Sequence, residues 1–413
     1  MLDLLSIAAD HCLKSEDSFF LADFGRVVKQ FELWNTHLPA VRPFYAVKCN
    51  PDPNLLGLLA QLGSGFDCAS IAEMHLALAT GVRSKDIIFA NPCKAPSALA
   101  FAAREGLTTT TFDNHSELEK IKILMPNARL LLRIYANDPT ALVPLGDKFG
   151  ATRCSVASLL HKAHALGLNV VGISFHVGSG ASDLDSLRAA IESARYAWDL
   201  AESLHMPMEI LDIGGGFQSS SKSFISMATA VKEAIARARF PAHTKLIAEP
   251  GRFFAKDAYT LFTQVISLRE NDTHEQPCRT SCSWQHMLYQ NDGVYKSFMN
   301  RIIEKEEFHP ILVPVSRTNN VLEEGTHTYS IWGPTCDSTD LISRRAAFPC
   351  RVQVGDWLMY ENMGAYTLST ATRFNGFSDE RRILYVNNLE RDDEKQTWNG
   401  NSELSGQRLG SSL

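Results

Sequence analysis

The alternation of short apolar runs with amphipathic stretches between residues 44 and 249 constrains this chain more than any other feature. β-Branched and aliphatic runs occur at 44–48, 65–68, 87–90, 110–113, 129–135, 170–176, 209–213 and 245–249. Between several of them, at 71–79, 96–104, 155–166 and 184–203, apolar residues recur three and four apart, as on a helix with one buried face. Parallel strands need crossover connections of that length, so the pattern reads as repeated βα units. Eight such units in roughly two hundred residues fit a closed (β/α)8 TIM-like barrel better than an open doubly wound sheet.

Beyond about residue 258 the helical stretches stop, and runs at 261–268, 287–290, 311–315, 329–332, 357–361 and 383–387 follow one another directly. This predicts a C-terminal antiparallel β domain. The strand-like piece 19–23 is expected to join it. The expected organisation is an N-terminal segment 1–23, a barrel over 24–258, a β domain over 259–389 and a polar, flexible tail over 390–413, with a mobile loop at 270–282.

Several function classes are disfavoured by composition. The chain has 413 residues, 45% hydrophobic and 21% charged, enough for one large or two medium cores. A formal net charge of -6 without a basic stripe argues against nucleic acid and membrane surfaces as partners. No apolar run approaches the roughly 18–20 residues of a membrane span. Residues 1–13 carry Asp3, Asp10 and His11 and make a poor signal peptide. The nine cysteines are scattered, and the close pair Cys278 and Cys282 lacks a second pair or nearby histidines. A reduced, cytoplasmic protein without a structural metal is expected.

Barrels place their chemistry at the carboxyl ends of the strands. There this chain carries Lys48, Asp67, Asn91, Asp113, Arg133, His176, the run Gly214, Gly215 and Gly216, and then Glu249 and Arg252. Each alone could be an ordinary loop residue, and the glycines could make only a tight turn. Together they form a polar rim. Glycine backbone N–H groups facing an arginine suit a phosphate, and a lysine opposite suits an aldehyde, which together describe pyridoxal 5'-phosphate. Glu249 could serve the cofactor's ring nitrogen. One histidine without paired ligand spacing makes a metal centre the weaker reading.

With these residues in place, the chain resembles the eukaryotic ornithine decarboxylase family from about Phe19 to Phe377. The resemblance is carried by PFYAVKCN, GFDCAS, ANPCK, FHVGSG, LDIGGGF, AEPGR, NDGVY, IWGPTCD and ENMGAYT. It implies an alanine-racemase-like barrel and a Schiff base between Lys48 and pyridoxal phosphate. Glu249 would pair with the ring nitrogen and His176 would stack on the ring. Ser179, Gly214, Gly215, Gly216, Arg252 and Tyr366 would bind the phosphate, with Asp67, Glu73 and Arg133 ordering the lysine and the site around it. The resemblance further implies a homodimer with shared sites, in which Cys336 of the partner protonates Cα and Asp337 binds substrate. Lys148 and Asp340 would pair across the interface. The small-molecule substrate would by default be ornithine, giving putrescine for polyamine synthesis. Antizyme is an implied partner, and an antizyme-inhibitor-like regulator without activity is the reading of another class. The long degradation tail of animal members is not expected.

The chain departs from that family where a tyrosine and an aspartate line the substrate's distal amine, since it carries Ile303 and Glu304 instead. Glutamate reaches one methylene farther, and isoleucine removes an aromatic wall and a hydroxyl. Changes of this size shift selectivity by about 1–3 kcal/mol. Lysine or a larger amino acid is therefore an alternative substrate, as in fungal-type members serving alkaloid routes such as the loline pathway, where it would be an amino-carboxypropyl proline. Gln218 replaces the proline usual after the glycines, with no expected effect on the phosphate.

Overall fold

The computed structural model describes residues 4–143, 145–270, 286–314 and 324–387. The tail expected over 390–413, Cys278 and Cys282, and all but the first residue of the loop expected over 270–282 lie outside them. A short helix, Leu4–Cys12, precedes strand β1, Phe19–Asp23.

Eight strands close into a parallel barrel in chain order. They are β2 Val41–Ala46, β3 Gly65–Cys68, β4 Ile87–Phe89, β5 Thr109–Phe112, β6 Arg129–Arg133, β7 Asn169–Ser174, β8 Ile210–Asp212 and β9 Lys245–Ala248. The eight expected runs are these strands, most of which stop one or two residues earlier than the apolar runs do. Helices start where a side chain accepts an otherwise unpaired backbone N–H. Asp23 receives Gly25 N–H ahead of Phe24–His37, Asp52 receives Asn54 N–H ahead of Pro53–Gln61, and Asp183 receives Asp185 N–H ahead of Leu184–Ser203. At Ile71–Ala79, Ser70 receives Glu73 N–H while Glu73 receives Ala69 N–H, which resembles a capping box.

Phe44, Ile88, Ala90, Leu131, Val171, Ile210 and Ile247, from or just past six of the eight barrel strands, form a small buried cluster. Two glycines give it room, for a Cβ on Gly65 would lie 2.4 Å from the Phe44 ring and one on Gly172 would lie 2.8 Å from Leu131. The larger core lies between barrel and helices, where Trp34 packs on Phe217, Phe224, Phe253 and Phe254 and donates its indole N–H to Val41 O at 2.8 Å.

The remaining strands are β10 Tyr259–Glu270, β11 His286–Gln290, β12 Ile311–Val313, β13 Glu324–Trp332, β14 Leu341–Cys350, β15 Trp357–Tyr360 and β16 Arg382–Val386. With β1 they form one eight-stranded sheet. It is mixed and not purely antiparallel, since β1 runs parallel to β16 and β11 parallel to β13. Both parallel pairs join strands distant in sequence, where no hairpin dictates an antiparallel return. Strand β14 has no counterpart among the expected runs.

Candidate active site

Part of the rim, Lys48, His176, Gly216, Glu249 and Arg252, lines one cleft at the carboxyl ends of β2, β7, β8 and β9 together with Ser179 and Tyr366. Strand β2 ends at Ala46, and Lys48 stands beyond it in the 3-10 turn Val47–Cys49. The turn lifts the amine off the apolar strand, so the side chain is 42% exposed while its partner Asp67 is 1% exposed. The Nζ to Asp67 Oδ2 distance is 2.9 Å. Loss of solvent works against the ammonium, but Asp67, then Tyr366 and Glu249, outweigh it and raise its pKa above the usual lysine value.

Glu73 and Arg133 do not bond to Lys48. Glu73 caps its helix, with burial first among the causes that push its carboxyl up. Arg133 lies over the Phe149 ring at 5.1 Å. His176 accepts Gly178 N–H at Nδ1 (3.1 Å), which leaves its proton on Nε2 in the neutral ring. Burial, with Arg133 and Lys48 adding cationic repulsion, holds its pKa well below the usual histidine value.

Glu249 is nearly buried, and its backbone N–H donates to Gly214 O at 2.7 Å. Burial pushes its carboxyl well up, and the carboxylates of Asp212 and Asp67 push it further. Asp212, wholly buried at the end of β8, is pushed up to about 7, chiefly by burial. Its Oδ1 accepts Gly214 N–H and its Oδ2 has no hydrogen-bond partner. Burial and mutual repulsion push both carboxyls toward their neutral forms, because two neighbouring buried acids cannot both ionise cheaply. Asp212 is not among the expected site residues, although an acid inside the apolar run ILDI is as conspicuous as a lysine at the end of the run 44–48.

The three glycines are sterically required. A Cβ on Gly214 would stand 2.0 Å from Phe175 O, one on Gly215 would stand 2.7 Å from both Glu249 O and His176 Nε2, and one on Gly216 would stand 2.6 Å from Gly178 O. Gly214 and Gly216 also have φ of +66° and +99°. Arg252, opposite them, donates to Ser179 Oγ at 3.3 Å and stacks on the Tyr366 ring at 5.1 Å. Its Nε and NH1 are buried with no partner. Unpaired guanidinium N–H groups beside crowded glycines and a serine hydroxyl are the donor set a phosphate needs, so these residues fit pyridoxal phosphate.

Other expected site residues fall elsewhere. Glu304 pairs with Arg252 at 2.5 Å, and Ile303 is 52% exposed. Cys336 and Asp337 do not line their own chain's cleft. Cys336 is exposed, its backbone N–H on Asn375, and Asp337 accepts the Tyr295 hydroxyl at 2.5 Å. The expected Lys148–Asp340 pair would lie between two chains; within its own chain the Asp340 carboxylate, 1% exposed, accepts Val294 N–H, Thr335 N–H and the Thr335 hydroxyl. Lys148 lies over the Phe149 ring at 5.0 Å. Asp113 accepts Gly150 N–H at 2.9 Å and Asn91 accepts Cys93 N–H at 3.1 Å, so both brace loops. Gln218 donates to Ala181 O at 2.8 Å.

Comparison with known proteins places this geometry among relatives. A family model described as the pyridoxal binding domain of pyridoxal-dependent decarboxylases matches residues 24–256. An ornithine decarboxylase from Neurospora crassa is 44% identical, over 92% of this chain and 83% of its own. The decarboxylase flvG from Aspergillus flavus is 41% identical, over 90% and 86%. The structure of the arginine decarboxylase of Paramecium bursaria Chlorella virus bound to agmatine superposes with a TM-score of 0.85 at 34% identity, covering 94% of this chain and 100% of that one.

Proposed function

The chain belongs to the pyridoxal-dependent decarboxylases, the family of ornithine decarboxylase, and from that premise we propose that it decarboxylates a basic α-amino acid, ornithine by default, to give putrescine and CO2. The observation that carries the reading is the cleft itself, which sets an amine, a buried carboxyl and an incompletely paired arginine around one space.

In this reading pyridoxal phosphate is held by Lys48 at its aldehyde, by Arg252, Ser179, Tyr366 and Gly214–Gly216 at its phosphate, and by Glu249 at its ring nitrogen. When bound, it supplies an electron sink for the pair left as CO2 departs. The chain's own residues set the rest. Asp67 keeps the Lys48 amine in place and charged until it reacts. The Glu249–Asp212 pair brings a proton to the ring nitrogen, and a protonated ring withdraws electrons more strongly. His176, neutral by burial, offers a flat ring without adding charge. Proton delivery to Cα is assigned to Cys336 of a second copy on the family resemblance, and its exposure outside its own cleft is compatible with that role. Shared sites of this kind require a homodimer.

A second substrate reading has its own observation. Ile303, 52% exposed, offers neither an aromatic wall nor a hydroxyl, and Glu304 pairs with Arg252. A larger or less polar amino acid, such as the alkaloid-route alternative, then competes with ornithine.

Borohydride treatment of the loaded enzyme is expected to fix the cofactor covalently on wild type and not on Lys48→Ala, with kcat lost in the variant. A chain without cofactor absorbance would overturn the assignment in favour of a non-catalytic, antizyme-binding regulator. Competition among ornithine, lysine and longer amines then ranks the substrates by kcat/KM.

A further inference from the structure

Arg252 and Glu304 are both almost wholly buried, with side chains 6% and 4% exposed. Oε1 of Glu304 takes the NH2 group that also donates to Ser179. The contact is one-pronged. Arg252 keeps Nε and NH1 unpartnered, and Glu304 keeps Oε2 unpartnered, all three atoms buried. An arginine and a carboxylate free to choose their geometry form a two-pronged fork, which satisfies more of both groups. Here the guanidinium is left short of acceptors in a cleft whose glycines leave no room for side chains.

The segment that delivers Glu304 is firmly placed. Its short helix, Asn300–Ile303, is tied to the loop after β15 by Asn300 Nδ2 donating to Ala365 O at 3.0 Å, and Glu306 just beyond pairs with Lys256 at 3.1 Å. Lys305 between them has φ of +57°, a left-handed turn that sends its two acidic neighbours to different cations. A buried arginine without an anion is costly, so an anion in this position stabilises the chain before cofactor arrives.

We propose that Glu304 is the internal occupant of the phosphate anchor: its carboxylate holds Arg252 until a phosphate monoester takes the guanidinium, and the two anions compete for it. The proposal rests on the reading of the cleft as a pyridoxal phosphate site. It makes Glu304 a positioning residue of Arg252 and gives it a role other than the distal-amine contact expected from the sequence.

Titration of the cofactor-free full chain with pyridoxal phosphate, pyridoxal and inorganic phosphate separates these roles. Glu304→Gln keeps the size and an acceptor oxygen but removes the competing charge. It is expected to bind pyridoxal phosphate about tenfold more tightly, with pyridoxal affinity within about twofold of wild type. Inorganic phosphate should raise its Tm more than it raises that of wild type. Glu304→Asp, which keeps the charge on a shorter arm, should fall between the two and guards against a folding defect. Unchanged or weaker pyridoxal phosphate binding in Glu304→Gln overturns the proposal, as does an equal gain for pyridoxal. If wild type takes up no pyridoxal phosphate, the reading of the cleft itself fails, a different result from wild-type binding without a Glu304 effect.

Discussion

At the scale of single residues, the site is governed by how few charges share a dry space. Asp67, Asp212 and Glu249 face the cations Lys48 and Arg133, and the excess negative charge is relieved by a proton kept on the Asp212–Glu249 pair. This has a pH signature. With a folded pKa pushed up to about 7 against an ordinary 3.8, the folded chain holds a proton that the unfolded chain has released. Stability of the cofactor-free protein should therefore fall as pH rises from about 4 to about 7, by an amount on the order of a few kcal/mol. Asp212→Asn should flatten that slope in urea unfolding measured across the range, and an unaltered slope would count against the shared proton. Lys48 was legible in the sequence because an ammonium at the end of an apolar run demands a partner. The partner's identity was legible only in part. Asp67 bonds it directly, while Glu73, which caps its helix, and Arg133, which lies over an aromatic ring, reach the surrounding groups through their charge.

At the scale of elements, barrel and sheet are joined through polar atoms as well as apolar packing. Asp52 caps the helix Pro53–Gln61 and at the same time accepts the Tyr259 hydroxyl at 2.7 Å and the Tyr385 hydroxyl at 3.0 Å. Tyr259 opens β10 and Tyr385 belongs to β16, so one carboxylate links a barrel loop to two strands of the sheet. Asp52→Ala should remove the cap and strand a buried phenol, at a cost of about 2–4 kcal/mol. A urea midpoint unchanged from wild type would show that the link contributes nothing. The barrel strands were legible because each is an apolar run bracketed by helical periodicity. Strand β14 was not, because Ser343, Arg344 and Arg345 interrupt its apolar pattern where the strand faces solvent on its outer side. The chain-order barrel also follows from local rules, since every crossover joins neighbours.

At the scale of the whole molecule, a cleft on one chain carries the amine and the anchor, while Cys336 and Asp337 sit on the sheet's loop outside it. If two copies share sites, Lys48→Ala and Cys336→Ala are each poorly active alone, and mixing them under exchange should restore about a quarter of wild-type activity, because half of the random pairs carry one intact site. Mixing without recovery would place Cys336 outside the chemistry. By itself the sequence determined the barrel, the cofactor class and the residues at the strand ends, because these depend on local periodicity and on which side chains stand where backbone N–H groups are left open. Only the tertiary structure decided the mixed sense of the sheet, the internal network of Asp340 and the turn of Glu304 onto Arg252. Those outcomes depend on which distant groups share a buried volume, and a buried charge settles with the nearest partner the fold supplies.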